Sequence, residues 1–366
     1  MSIKSLHIKN FKSIVDIQIE DISNFSVFAG ANGCGKSNFF EALEFVRDVI
    51  KNGAIDAIKK HNGYENIHSH KLRDKNAKRF YAKFEILIAS NSYNYELEIR
   101  DLNKEPILIE TVLKNKTEIA KKTSHQNLFV NGTKVEIEYS NNETILKLIS
   151  KEAKELLNYL SSIERYQIDP NKAREADEYF ASDVLDTNAS NLTTVLSKLE
   201  KDNVSTEEII ETMGMIVPGL EKIKIEKEHL SNKTIVTFKE EAISRKFPAG
   251  LVSDGTIYAL AMLVIIYSNK NGIILIEEPE RGLNPKAIAE LVEFFRERSQ
   301  LFNIFVNTHS ESIVRVTKPE ELFLVDKLDG KTKIRNVKKS FPNYDYTKMD
   351  VDRMWMSNMF NGGLPW

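Results

Sequence analysis

The sequence predicts an α/β fold: an open sheet carried in two halves, near the N-terminus and after about residue 245, with a β-rich and helical segment inserted between them. Three observations carry this expectation. The stretch Gly30-Ala31-Asn32-Gly33-Cys34-Gly35-Lys36-Ser37 lies between an alternating apolar strand and an amphipathic helical pattern. A four-residue apolar run, Ile273–Ile276, ends in Glu277-Glu278. A third apolar strand ends in Thr308-His309-Ser310.

The first element is the most specific. Glycine is costly in regular structure, so a cluster of three needs a reason. Without side chains, backbone N–H groups can curl around an anion at the positive end of the following helix. Gly30, Gly35, Lys36 and Ser37 satisfy G-x-x-x-x-G-K-[ST], the spacing of a phosphate-binding P-loop. Nucleotide contacts are therefore expected from Asn32, Gly33, Cys34, Gly35, Lys36, Ser37 and Asn38, with Lys36 reaching the β/γ-phosphates and Ser37 ligating Mg²⁺. Upstream, "FSVFAG" reads as a strand; downstream, Phe39, Phe40, Leu43, Val46 and Ile50 recur at helical spacing until Asn52-Gly53. The loop N–H groups are also expected to lower the pKa of the Cys34 thiol.

Bulk composition sets outer limits. The 366 residues suit one large domain or two modest ones, and 42% hydrophobic with 28% charged residues is ordinary for a globular chain. No apolar run approaches the roughly 20 residues that span a bilayer, so no membrane association is expected. The single cysteine rules out an intrachain disulfide and suits a cytoplasmic location. With a formal net charge of −2, contact with nucleic acid would need a local basic patch. The stretch "HKLRDKNAKRFYAK", with Lys71, Arg73, Lys75, Lys78, Arg79 and Lys83, is the candidate, beside the plainer reading of a solvated strand edge.

Along the chain, strands are expected at Ile3–Ile8 and Val15–Ile19, then the P-loop strand and helix. From Arg79 the pattern turns to period two, and Asn131-Gly132 between β-rich flanks marks a hairpin. Residues 143–163 read as helical, "RYQIDP" as a short strand, 191–199 and 206–213 as helices, and 221–238 as a second hairpin. The expected division is 1–60 and 245–335 for the two core halves, 61–244 for the inserted lobe, and 336–366 for a docking tail. That tail is rich in aromatic residues and methionine, including Trp355, Phe360 and Trp366, which suits docking on its own core or on a partner.

The remaining motifs complete a nucleotide site. An apolar run closed by acids fits a strand buried on both faces, and ligands of such sheets bind beyond the carboxyl ends of the strands. There Glu277 would hold Mg²⁺, directly or through water, and Glu278 would polarise the attacking water. His309 at the third strand end has an unperturbed pKa near neutrality and can meet a γ-phosphate or orient water. In "SDG", Ser253 or Asp254 can cap the helix starting near Thr256, while Gly255 permits close backbone approach.

Taken in order, "HIKNFKSI", "GANGCGKSN", "SDG", "LIEEPERGLNP" and "NTHS" resemble the ABC-type ATPase heads of the SMC, RecF and OLD families. More closely, the chain is similar to the compact AAA-labelled ATPases of bacterial defence and mobile-element systems. The resemblance covers about residues 1–60 and 245–320. It implies a P-loop NTPase of the ABC-type head kind, using ATP and Mg²⁺, as a homodimer or higher oligomer closed around ATP. It implies that Lys12 and Ser13 lie by the nucleotide, Glu278 is the general base and His309 the switch histidine. Ser253, Asp254 and Gly255 would form the signature motif acting on the other protomer's γ-phosphate, and "ERGLNP" the D-loop. It also implies a separately encoded effector, a nuclease or toxin, with nucleic acid as a candidate partner.

Three departures matter. Glu277 replaces the aspartate of many relatives, which adds a methylene at the metal. The Q-loop position is open between His68, His70 and Gln167. Too few residues follow His309 for a TOPRIM nuclease of roughly 100 residues, and no long coiled coil or hinge is expected. Two functions compete: an ATPase that dimerises on ATP and senses or acts on nucleic acid, and a nucleotide-gated scaffold that sequesters or releases an effector. A transporter subunit is disfavoured by "SDG", "HIKNFKSI" and "EEPE".

Overall fold

The computed structural model describes residues 1–72, 78–123, 127–136, 140, 142–176, 184–201, 203–227, 233–241, 244–269 and 272–364. The chain opens with strands β1 (Ser2–Phe11), β2 (Ile14–Glu20) and β3 (Phe25–Ala29), then helices α1 (Lys36–Asn52) and α2 (Ala54–Lys60). Six strands follow: β4 (Phe80–Ile88), β5 (Asn91–Arg100), β6 (Ile107–Lys114), β7 (Thr117–Lys122), β8 (Leu128–Val130) and β9 (Thr133–Val135). Next come α3 (Ile145–Leu148), α4 (Lys154–Ser161), β10 (Ile163–Tyr166), α5 (Pro170–Ala173), α6 (Leu192–Leu199) and α7 (Asn203–Ile216). Strands β11 (Leu220–Lys227), β12 (Thr234–Glu240) and β13 (Phe247–Pro248) lead to α8 (Asp254–Ser268), β14 (Ile273–Glu277), α9 (Pro285–Arg298) and β15 (Asn303–Thr308). The chain closes with α10 (Glu311–Val316), β16 (Leu322–Leu328), β17 (Lys331–Asn336), α11 (Val337–Ser340) and α12 (Val351–Met356).

The central sheet has the order β10-β14-β15-β3-β16-β17, parallel throughout except for the β16–β17 hairpin. Its inner strands are apolar at every position for a structural reason: both faces are covered. Side chains alternate across a strand, so Ile273 and Leu275 join one core while Ile274 and Ile276 join the other. Phe305 and Phe28 fall on the first side, and Ile304, Val306, Val27 and Ala29 on the second. The first core lies between this sheet and an eight-stranded antiparallel sheet, β2-β1-β4-β5-β6-β7-β8-β9, and holds α1. The second holds α8 and α9. Residues Gly255–Ile266 of α8 are all buried, as an apolar helix with no polar face requires.

The division expected at residues 60 and 245 runs through both sheets rather than between lobes. β1 and β2 belong to the same sheet as β4–β9, because β1 pairs with both β2 and β4. β10 lies inside the segment expected as an insert, yet it pairs in parallel with β14 in the central sheet. A short strand flanked by helices has too little pattern of its own to reveal which sheet takes it. The expected hairpin at Asn131-Gly132 is present between β8 and β9, and β11–β12 forms the second. The helical stretch at 143–163 is two short helices, α3 and α4.

The C-terminal residues pack on their own chain. Trp355, Met354 and Phe360 are buried in the core shared with α8 and α9, and the Trp355 indole donates to the Gly363 carbonyl. Asp352 is fully buried and accepts from Arg315 Nε at 2.7 Å. Trp366 lies outside the described residues. Truncating a buried indole removes a large contact area and leaves a cavity, so Trp355→Ala is expected to destabilise the fold by about 3–5 kcal/mol. Urea unfolding of the variant against wild type measures it; a change below about 1 kcal/mol would mean the tail is only loosely attached.

Candidate active site

Three neighbouring strands of the central sheet end together. The register pairs Glu277 with Asn307 and Thr308 with Ala29, so the ends of β14, β15 and β3 form one edge. Immediately after β3 the chain turns through the glycine-rich loop into α1. Gly35, the residue before the helix, has φ 109°, and a Cβ there would strike the Thr332 hydroxyl, so only glycine fits. The loop is fixed from behind: Thr332 Oγ1 donates to the Cys34 carbonyl at 2.9 Å and lies 2.7 Å from Ser13 Oγ, which also accepts from Asn38 Nδ2 at 2.6 Å. Asn32, Gly33 and Ser37 remain exposed.

Lys36 is buried, and its ammonium donates to the Gly30 and Ala31 carbonyls at 2.7 and 2.8 Å. Ser37 Oγ donates to Glu277 Oε2 at 3.1 Å, which brings together two oxygens placed 240 residues apart in the chain. The other Glu277 oxygen accepts from Arg165 Nε at 2.5 Å. Hard hydroxyl and carboxylate oxygens side by side are a donor set that suits Mg²⁺.

Glu278 begins the turn after β14 with φ 49°, a left-handed conformation uncommon for a non-glycine residue. Its N–H donates to the Asn307 carbonyl at 3.0 Å, and the Tyr258 hydroxyl donates to the carbonyls of Glu277 and Glu278 at 3.2 and 3.1 Å. The Glu278 and His309 side chains are each 43% exposed, with His309 Nδ1 3.4 Å from Glu278 Oε1. Glu280 is the least exposed member of this group: it accepts from Thr308 Oγ1 at 2.6 Å and lies 3.9 Å from His309 Nδ1. Burial pushes its carboxyl up from the ordinary value, against the lowering effect of the Thr308 hydrogen bond.

The remaining expected residues lie as follows. Ser253 caps α8, accepting from the Thr256 N–H at 3.2 Å, and both Ser253 and Asp254 are exposed. Gly255 is required by packing within the chain, since a Cβ there would strike the Gly282 carbonyl. Lys12 is paired with Glu41 at 2.5 Å. Gln167 stands exposed one residue beyond β10, whose Tyr166 pairs with Ile276, and so is level with the end of β14. His70 lines a cleft with Lys12, Ser13, Glu65 and Gly330, and the ring of His68 packs against that of His70 at 4.4 Å.

Sequence reasoning did not single out Arg165, Glu280, Tyr258 or Thr332. Arg165 had a signal, because it precedes Gln167 by two in the stretch "RYQIDP" that reads as a strand. Thr332 had none; its role depends on β17 lying beside the loop. The expectation of a lowered Cys34 pKa is corrected. The thiol is 4% exposed and turned into the core, where burial pushes its pKa up despite the nearby Lys36 charge.

The family described as "AAA domain, putative AbiEii toxin, Type IV TA system" matches residues 25–315, well over half of the chain. The chain belongs to this family of P-loop ATPases. It is also similar to an "ATP/GTP phosphatase" of Helicobacter pylori, 23% identical in an alignment 335 residues long that covers 86% of this chain and 87% of that protein. Among solved structures, it is similar to an SMC head bound to the C-terminal winged-helix domain of ScpA, with TM-score 0.59 and 15% identity over 93% of this chain and all of that one. The SMC head domain of Thermotoga maritima matches with TM-score 0.53 and 15% identity over 92% and 99% of the two chains. The fold is thus that of a compact SMC-like, ABC-type ATPase head.

A buried thiol with a raised pKa reacts slowly. Alkylation of Cys34 in the folded protein is expected to be at least about tenfold slower than in denaturant. Mass spectrometry of timed iodoacetamide reactions checks this; equal rates would place the thiol at the surface.

Proposed function

We propose that the chain binds ATP with Mg²⁺ at the edge formed by β3, β14 and β15, and hydrolyses it within a homodimer that pairs each P-loop with the SDG motif of a second copy. The observation that carries the reading is the 3.1 Å contact between Ser37 and Glu277, with Glu278 and His309 on the adjoining strand ends. Bound there, Mg²⁺ would neutralise charge on the β- and γ-phosphates. Ser37 and Glu277 supply oxygens for it, while Lys36 exchanges the Gly30 and Ala31 carbonyls for phosphate oxygens. Glu278 accepts the proton of the attacking water, and His309 orients that water or the γ-phosphate. Gln167 takes the Q-loop position in this reading, because β10 delivers it level with the end of β14 and Glu277.

Lys12, Ser13, Asn32, Gly33, Cys34, Gly35 and Asn38 surround the nucleotide in this reading, Cys34 through its backbone alone. Ser253, Asp254 and Gly255 stand at the N-terminus of α8, where an exposed hydroxyl and helix N–H groups suit a partner's γ-phosphate. The family description names a toxin–antitoxin system, which is the ground for a place in bacterial defence. A cytoplasmic location and a separately encoded effector, a nuclease or toxin, belong to the same proposal and follow from the sequence resemblance. Among the described residues, no helix is long and apolar enough to cross a membrane.

Glu278→Gln keeps shape and hydrogen bonding but cannot accept a proton. It is expected to bind ATP normally, lose turnover by roughly 10²-fold or more and accumulate a dimer with ATP. Adding Ser253→Arg should abolish that dimer while nucleotide binding survives. Phosphate release and light scattering with ATP measure both; normal turnover in Glu278→Gln moves the base elsewhere, and an unaffected dimer reduces SDG to a helix cap.

Sensing of nucleic acid by the dimer is the first reading of its role. A second, the nucleotide-gated scaffold, is favoured by the pairing of the basic residues near the expected patch. Arg79 lies 3.6 Å from Glu98, and Lys83 stands across from Glu96 in the β4–β5 register. Arg73 and Lys75 lie outside the described residues. DNA and RNA binding titrated against salt separates the two. The scaffold reading expects no binding even at low salt, and binding that weakens steeply as salt rises would establish phosphate contacts.

A further inference from the structure

We propose that Arg165 is a positioning residue for Glu277, gripping one carboxylate oxygen so that the other faces Ser37. The inference rests on the reading of Ser37 and Glu277 as the magnesium side of the site. Arg165 lies on β10, paired in register with Leu275 of β14. Leu275 and Glu277 are two apart and share a face, so Arg165 and Glu277 meet diagonally on the α1 side of the sheet.

The geometry divides the carboxylate between two partners. Oε1 accepts from Arg165 Nε at 2.5 Å, and Oε2 accepts from Ser37 Oγ at 3.1 Å. Arg165 is braced in turn by Glu44 of α1 at 3.4 Å, and both side chains are 17% exposed. The helix that begins with Lys36 and Ser37 therefore also holds the arginine that aims the acid. Glutamate has one more side-chain torsion than aspartate, so a carboxylate on the longer arm would sample several orientations at the strand end. The Arg165 contact removes that freedom.

Charge and position predict opposite effects. By charge alone, a guanidinium against Glu277 weakens its attraction for a metal ion, and removing it should lower the Mg²⁺ requirement. As a positioner, Arg165 keeps a carboxylate oxygen at the metal side, and removing it should raise the requirement. The affinity of the full chain for a non-hydrolysable ATP analogue is to be titrated in EDTA and over a range of Mg²⁺ concentrations. The proteins are wild type, Arg165→Gln, Arg165→Lys and Glu277→Gln, with thermal melting to confirm folding. In EDTA the four are expected to bind alike. The Mg²⁺ concentration giving half the gain in affinity is expected to rise about tenfold in Arg165→Gln, the scale on which loss of a ligand-orienting contact acts.

Arg165→Lys keeps the charge but loses the planar donor, so it also decides the matter if Arg165→Gln fails to fold. A raised Mg²⁺ requirement in the lysine variant supports positioning, and a wild-type requirement overturns it. If Glu277→Gln raises the requirement while both arginine variants leave it unchanged or lowered, the role of Arg165 falls alone. If Glu277→Gln also leaves it unchanged, the metal-side reading of Ser37 and Glu277 falls, and the proposal with it.

Discussion

The parallel pairing of β14 with β15, and of β15 with β3, is the interaction on which the site depends. It sets Glu277 beside Asn307 and Thr308 beside Ala29, so three chain segments far apart in sequence end on one edge. Burial on both faces fixes this register, because a slip by one residue would exchange the side chains of the two cores. At the end of β14 the fold also holds a strained residue. A non-glycine left-handed conformation costs about 1–3 kcal/mol, and Glu278 keeps it because Asn307 and Tyr258 bind its backbone on either side. The side chain is thereby turned out toward His309 instead of following the alternation of the strand.

A second constraint runs along the face of α1 away from the loop. Arg47 is paired with Glu44, Asp48 and Glu164, and Asp48 also accepts from Lys60 and faces His61 at 3.0 Å. Burial alone would raise the Glu41 carboxyl, but hydrogen bonds from His61 and Lys12 outweigh it and bring it down to about 2. Asp48 follows the same balance and is lowered, while His61 is raised because its bonds to Asp48 and Glu41 outweigh its own burial. The signs are opposite. The depressed carboxylates contribute stability that is complete above their unfolded values and fades as pH falls through the folded ones. The raised histidine contributes below its unfolded value and loses that contribution as pH rises through the folded one. Replacing one member leaves its partner charge buried, so single substitutions here are expected to be strongly destabilising.

The site was legible where chemistry is written in contiguous residues. The P-loop, the acids after the Ile273–Ile276 run and the histidine after β15 all sit at strand ends because apolar runs and turn residues mark those ends. What was not legible depends on pairing across long separations. Thr332 reaches the loop only because β17 lies there, and β10 joins the central sheet although its four residues carry no distinctive pattern. The pairing of β1 forward with β4, across the point where the motifs pause, was not legible for the same reason. Cys34 was misread because the loop was treated as backbone N–H groups around a ligand. Its side chain instead points into the core, where burial outweighs the favourable Lys36 charge.

The position of Gly255 shows how the edge that carries Glu278 and the exposed face of α8 are joined within one chain. After Glu278 the backbone makes two tight turns, with Arg281 N–H donating to the Glu278 carbonyl and Leu283 N–H to the Glu280 carbonyl. They deliver Gly282 against Gly255, with no side chain between the two backbones. Asn284 then caps α9, accepting from the Ala287 N–H at 3.0 Å, so the segment is anchored on both sides. Residues 278–284 are thus held between the end of β14 and the first turn of α8. Ser253 and Asp254 sit on that turn, the surface offered to a second copy in the proposed dimer. Glycine at 255 is needed there because any larger residue would separate the turn from α8. That packing requirement gives the glycine of "SDG" a reason independent of a phosphate on the opposing subunit.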